Sequence, residues 1–321
     1  MLMAVLLCVL ALVVDHYLGE PRKAHPLVAF GWLAGRLERL VNPSARTDSN
    51  AQGQIGRGAL AVLVLVLPPT LLALWVSHWL VGPVLWVVEL IVLYFALGRR
   101  SLRDHARAVV LPLQAGELDV ARDALARMVS RDVAALDENG ISRAATESVL
   151  ENGSDAVVAS LFWFLLAGIP GVILHRLVNT LDAMWGYRNP RFRGFGRFVA
   201  KLDDALAYWP ARLTALAYTV SGKIRPALGC WRTQAAQWDS PNAGPVMASG
   251  AGALKLGLGG PTPYHGQWQD RPRLGVWAVN GPSVSTDSAL RALRLLDRAL
   301  MIILALAFGG AALWHWSMVG A

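Results

Sequence analysis

The sequence predicts an all-α integral membrane protein with four or five transmembrane helices, one segment able to re-enter the bilayer, and helical and loop regions on the cytoplasmic side. Three observations carry this expectation. Of the 321 residues 55% are hydrophobic and only 16% charged, against roughly 25% charged in an ordinary soluble chain, and the mean hydropathy is +0.41. Thirteen tryptophans suit rings that anchor at a membrane interface. Thirty basic residues face 22 acidic ones, an excess that in such a chain belongs first to cytoplasmic loops beside anionic headgroups, so lipid rather than nucleic acid is the expected partner. Two cysteines, Cys8 and Cys230, form no CxxC pair and no disulfide framework.

Taken in order, Met1 to Val14 is apolar, lacks a basic flank and a cleavage site, and reads as an anchor. Residues 58–80 give about 34 Å of helix, enough to cross a hydrocarbon core of about 30 Å, with a kink expected at Pro68-Pro69. After Gly82-Pro83, Val84 to Leu97 forms a second apolar run that stops at Arg99 and Arg100, so the two make a hairpin. The basic stretch Arg22 to Arg57 and the arginines from Arg99 to Arg107 put both outer ends in the cytoplasm. Leu118, Ala121, Leu125, Met128 and Leu136 predict a water-facing amphipathic helix over 114–137. Residues 157–174 are apolar but broken around Gly168-Pro170, so they either span once or dip in and return. Residues 239–282, rich in Gly and Pro, read as a long structured loop, and Ala299 to Trp316 as a last helix leaving the cytoplasm. The regions are thus 1–98, an N-terminal membrane part; 99–298, the part with the polar motifs; and 299–321, the final helix.

Two polar clusters flank the broken segment. On a helix Glu147 and Glu151 share one face and Arg143 can pair with Glu147; with Asn152 and Asp155 they offer hard oxygen ligands for Mg²⁺, although a solvated helix face explains the spacing as well. Downstream, Asn179, Thr180 and Asp182 precede Arg188, Arg191, Arg193, Arg197 and Lys201, then Asp203 and Asp204: a surface for anions, or positive-inside flanking, or both. If both clusters serve one site, the segment between them must return. The glycine run 248–260 lacks the phosphate-loop spacing and suits close packing.

These pieces resemble the CobD/CbiB family, adenosylcobinamide-phosphate synthase of cobalamin (vitamin B12) biosynthesis. The resemblance rests on D-x-x-LGEP and HP between Asp15 and Pro26, SLxxHA at Ser101 to Ala106, RDVAALDENGISRAATESVLENGSD at Arg131 to Asp155, NTLDAMWGYR at Asn179 to Arg188, FGRFVAKLDDALAYWPARLTAL at Phe195 to Leu216, and SPNAG at Ser240 to Gly244. It runs from about residue 15 to 265. Glu20 stands where the family commonly has Asp, and Ser160 where it has Pro.

The resemblance implies an ATP-dependent acid–amine ligase that joins adenosylcobyric acid to (R)-1-aminopropan-2-ol or its O-phosphate through a phosphorylated carboxylate. ATP and Mg²⁺ are the implied cofactors. Glu147, Glu151, Asp155 and Asp182 are then expected at the metal, and Asp203 or Asp204 as the proton acceptor. The motifs place His25, His105, Asn152, Asn179, Arg188, Lys201, Ser240 and Asn242 at the substrates or phosphates. The implied setting is the bacterial inner membrane, multi-pass, with the active site on the cytoplasmic side. A downstream membrane cobalamin synthase and a second copy of the chain are the implied protein partners. A transporter of an anionic or corrinoid substrate is the main rival; the absence of an inverted repeat counts against it. The DGxxAR-type and NDxxDxxxD signatures of membrane phosphotransferases and prenyltransferases are absent.

Overall fold

The computed structural model describes residues 1–21, 25–42, 51–264, 266–278 and 283–319; Arg22, Lys23 and Arg46 of the basic stretch lie outside the described residues. Packing gathers the chain into two compact units, 1–98 with 159–207, and 99–158 with 208–321.

The first unit holds α1 (Leu2–Leu18), α2 (Pro26–Val41), α3 (Ala51–Trp79), α4 (Gly82–Ala96), α8 (Ala159–Trp185) and the first half of α9 (Arg197–Ser221). Apolar side chains surround α3 on every face, and Leu63, Leu67, Leu71, Leu74 and Trp75 stay exposed. An exposed apolar surface of this extent on a long helix suits contact with lipid. α3 runs through Pro68 and Pro69 as one helix, with the Thr70 hydroxyl donating to the Val66 carbonyl at 2.8 Å. On its inner side Val62, Leu65 and Val66 pack against Leu177, Val178 and Leu181 of α8, and Trp185 meets Phe195 edge to face at 5.0 Å.

α8 breaks at Gly168, whose φ of 60° and ψ of −147° fall in a region essentially reserved for glycine. A Cβ placed on Gly171 would stand 2.6 Å from the Trp163 carbonyl oxygen, whereas a straight helix separates residues eight apart by about 12 Å. The chain therefore folds back on itself here instead of running through. Glu38 of α2, buried, accepts from Arg191 at 3.0 and 2.5 Å and from Asn42 at 3.1 Å, and Asn42 also donates to the Arg191 carbonyl. This bidentate clamp fixes the turn after α8.

The second unit holds α5 (Arg99–Gln114), α6 (Leu118–Leu125), α7 (Glu138–Asn152), a π turn (Gly153–Val158), the second half of α9, α10 (Ile224–Gln234), α11 (Ala243–Leu254) and α12 (Ser288–Val319). The amphipathic helix expected over 114–137 is shorter: only Leu118–Leu125 is helical there. The chain then turns, which leaves Met128 and Leu136 outside the helix and frees Arg131 and Asp132 for distant partners. Residues 239–282, expected as loop, contain α11 and four three-residue strands: β1 (Gly257–Gly259), β2 (Thr262–Tyr264), β3 (Gln267–Gln269) and β4 (Arg273–Gly275). β1 pairs antiparallel with β4, and β2 with β3. α11 shows no helical period because Ala243 to Ala253 is buried all round. Its small residues admit α10 so closely that a Cβ on Gly252 would meet the Ala227 backbone at 2.7 Å.

Four helical stretches are long and apolar enough to cross a membrane: Gly53–Trp79, Gly82–Gln114, Glu138–Trp185 with its bend, and Ser288–Ser317; Leu2–Leu18 is apolar but shorter. This bears out an all-helical, multi-pass membrane protein, with the two small strand pairs as its only departure among the described residues.

Candidate functional site: a charged cavity beside α7

Glu147 is 1% exposed on α7. Its Oε2 accepts from Arg131 at 2.7 Å and from Arg271 at 3.2 Å, and its Oε1 from the Gly259 N–H at 2.7 Å. Three elements converge to do this. The turn after α6 supplies Arg131; the β1–β4 ladder pairs Gly259 with Arg273 and so brings Gly259 and the nearby Arg271 onto α7. Gly259 must be glycine, with φ at 72° and the Pro272 carbonyl 2.0 Å from where a Cβ would lie. Burying a carboxylate is tolerable only with such pairing. Arg143, the expected partner of Glu147, is drawn elsewhere: it donates to the Gly259 carbonyl at 3.2 Å and lies over the Trp277 ring.

One turn on, Glu151 faces a cavity of about 270 Å³ lined also by Arg131, Ser148, Asn152, Trp238 and Arg271. The Arg271 guanidinium lies 4.2 Å from the Trp238 ring centroid, and Asn152 donates to Ser148. Glu151 accepts no hydrogen bond among the described residues, so the cavity joins an available carboxylate to two guanidiniums. Asp155, within the π turn, does not line it. The wider π turn is filled by Tyr218, whose hydroxyl donates to the Leu150 carbonyl at 3.2 Å.

The other unit carries the second acidic group. Asn179 donates to Asp203 Oδ1 at 3.3 Å. Burial first, then the charge of Asp182, push the Asp203 carboxyl up to about 7, against the opposing Asn179 amide. Burial likewise raises Asp204, opposed by Arg188. Arg188 and Lys201 are exposed. His25 caps α2, its Nδ1 accepting from the Leu27 N–H at 3.2 Å, with Glu20 3.7 Å from Nε2. His105 is exposed on α5, Nδ1 at 2.8 Å from the Ser101 carbonyl. Ser240 accepts from the Asn242 and Ala243 N–H groups at the start of α11, and Asn242 Oδ1 accepts from Arg212 at 2.6 Å.

The expected metal ligands fall into both units: Glu147, Glu151 and Asp155 in one, Asp182 in the other. Among the described residues no three His, Cys, Asp or Glu side chains gather as a ready-made metal cage. Arg271 and Gly259 were missed by the spacing argument; the DRPR sequence at 270–273 and the glycine pair at 259–260 were the signals available.

A multi-pass helical membrane protein with a carboxylate–guanidinium cluster opening on a small polar cavity is the class these features define. The chain belongs to the CobD/Cbib protein family, which matches residues 8–296. It is 57% identical over 274 residues to the cobalamin biosynthesis protein CobD of Stutzerimonas stutzeri, covering 85% of this chain and 88% of that one. It is 50% identical over 305 residues to the CobD of Chromobacterium violaceum, covering 95% and 96%, and 40% identical over 266 residues to that of Mycobacterium tuberculosis, covering 81% and 82%. No solved structure matches.

Proposed function

We propose that this member of a cobalamin-biosynthesis family is a membrane enzyme that uses ATP to join the carboxylate of adenosylcobyric acid to (R)-1-aminopropan-2-ol or its O-phosphate. The observation that carries the reading is the buried Glu147, which holds Arg131 and Arg271 at the edge of the cavity that Glu151 lines. Arg271 uses one N–H on Glu147 and stacks on Trp238, and a guanidinium has five donors, so an anion in the cavity finds a fixed fork.

In the reaction, a substrate carboxylate oxygen attacks the terminal phosphorus of ATP, and the bond to ADP breaks. The amine nitrogen then attacks the acyl carbon, the C–O bond to phosphate breaks, and phosphate leaves while the nitrogen loses a proton. Arg131 and Arg271 offset charge on the transferring phosphoryl group and on the departing phosphate. The departing phosphate accepts the proton; Asp203 and Asp204, expected from the sequence in that role, lie in the other unit.

Mg²⁺ fits Glu151, whose oxygens are available, and does not fit Glu147, whose oxygens already accept from three donors. Mg²⁺ commonly takes only one or two protein carboxylates beside phosphates and water. When bound, the ion would neutralise phosphate charge.

The test is detergent-purified protein with Mg-ATP, adenosylcobyric acid and either amine. ATP consumption that requires both co-substrates, with ¹⁸O passing from the acid's carboxylate to phosphate, is the expected result. Amide formation with no label in phosphate would overturn the acyl-phosphate route, and no amide at all the assignment.

A further inference from the structure

Trp238 is a wall with two sides. One closes the polar cavity; the other lines a groove of about 680 Å³ with Trp231, Arg232, Arg212, Leu228 and Pro241. Both lie within the second unit. Trp231 and Arg232 are adjacent near the end of α10. Arg212 is a fixed charge at the groove's edge: it donates to Asn242 at 2.6 Å and to the Pro241 carbonyl at 3.0 Å, and lies 3.6 Å from the Tyr208 ring centroid. Arg232 is exposed and makes no hydrogen bond or ion pair among the described residues.

Size divides the substrates between these spaces. Sites that enclose drug-sized ligands run from roughly 300 to 1,000 Å³. The 270 Å³ cavity falls below that range and is mostly polar, which suits a phosphoryl group with the reacting carboxylate; the 680 Å³ groove falls within it. Two indoles, a leucine and prolines form broad apolar walls, with two guanidiniums and the single carboxylate of Asp239 also on the lining, a net positive charge. Such a surface is complementary to a large ring with an apolar face and amide and carboxylate groups at its periphery.

We infer that the groove seats the macrocycle of the corrinoid acid, which then reaches past Trp238 with its reacting carboxylate toward Arg271 and Glu151. The inference rests on the ligase reading for the identity of the substrate, but binding can be measured without turnover. Ser240 and Asn242 then act as positioning residues, since they set the start of α11 and the direction of Arg212.

The experiment is equilibrium dialysis of the full chain in nanodiscs against the cyano form of cobyric acid, without ATP or amine, read by visible absorbance. Trp231→Ala should weaken binding about tenfold, and Trp231→Phe should stay within about threefold of the parent, as expected of an aromatic contact. Arg232→Glu, at an exposed position, should weaken it about threefold. In turnover the KM for the acid should rise in step while the KM values for ATP and amine stay constant. Unchanged corrinoid affinity in both Trp231→Ala and Arg232→Glu overturns the inference, as does a rise in the KM for ATP alone, which would make the groove a nucleotide site. Corrinoid binding that depends on Trp231 in a protein that forms no amide supports the groove and removes the ligase assignment, so the two failures are distinguishable.

Discussion

Glu147 and Glu151 are one helical turn apart and do different work. Glu147 neutralises two arginines in a buried setting, and breaking such a pair costs about 3–5 kcal/mol. Glu147→Gln is therefore expected to lower the thermal midpoint of the detergent-solubilised protein sharply. Glu151 carries no comparable partner, so Glu151→Gln should leave the midpoint within a few degrees while amide formation falls by about a hundredfold or more; a similar loss of stability in both variants would remove this division. At Asp203 the folded-state carboxyl titrates at about 7, above the ordinary value of about 3.9. The fold thus favours the protonated form, and this stability is fully present below pH 4 and lost as pH rises to 7. Asp203→Asn keeps an acceptor for Asn179 and removes the charge. In metal-free buffer it should match the parent near pH 4 and exceed it by about 2–4 kcal/mol equivalent at pH 8. Thermal melts across that range check the sign, and a variant less stable than the parent at pH 8 contradicts it.

At the scale of elements, the bend in α8 depends on one residue. Gly168 adopts a conformation that costs other residues about 1–3 kcal/mol, so Gly168→Ala should reduce stability by that amount. An exposed glycine without this backbone, Gly309 on α12, should accept alanine at no cost; equal melts for the two variants would show that the bend is not required. This bend was legible from Gly168 and Pro170 in an apolar run, as were α3, α4 and the last helix, because lipid-facing helices are long and uniformly apolar. α11 was not legible. A helix buried on every side by small residues has no polar face to mark its period, and composition alone gave a loop. The partners of Glu147 were hidden for another reason: Arg131 is 16 positions away and Arg271 is 124, and only the β1–β4 ladder brings the latter back. Local spacing favoured Arg143, which the Gly259 carbonyl and Trp277 claim.

For the whole molecule, the excess of arginine is expected to set how the chain lies in the membrane. The positive-inside bias counts Lys and Arg near the ends of spans, and the first unit separates them clearly. The link between α3 and α4 at Leu80 and Val81 carries no charge, whereas the segment after α8 carries Arg188, Arg191, Arg193 and Arg197. Arg191 is held there by the Glu38 clamp, so this charge belongs to a fixed turn. Val81 and Asn189 are both exposed, and both native cysteines are buried, so a Cys8→Ala, Cys230→Ala background accepts single reporters. A membrane-impermeant maleimide should label Val81→Cys in right-side-out vesicles and Asn189→Cys only in inside-out ones. The bend at Gly168 supplies the physical reason: a chain that folds back at that depth returns its arginine-rich end to the side from which it entered. Labelling of Asn189→Cys from the outer face would mean that four arginines follow a span to the disfavoured side, and the cytoplasmic placement of the acidic group at Asp182, Asp203 and Asp204 would fall with it.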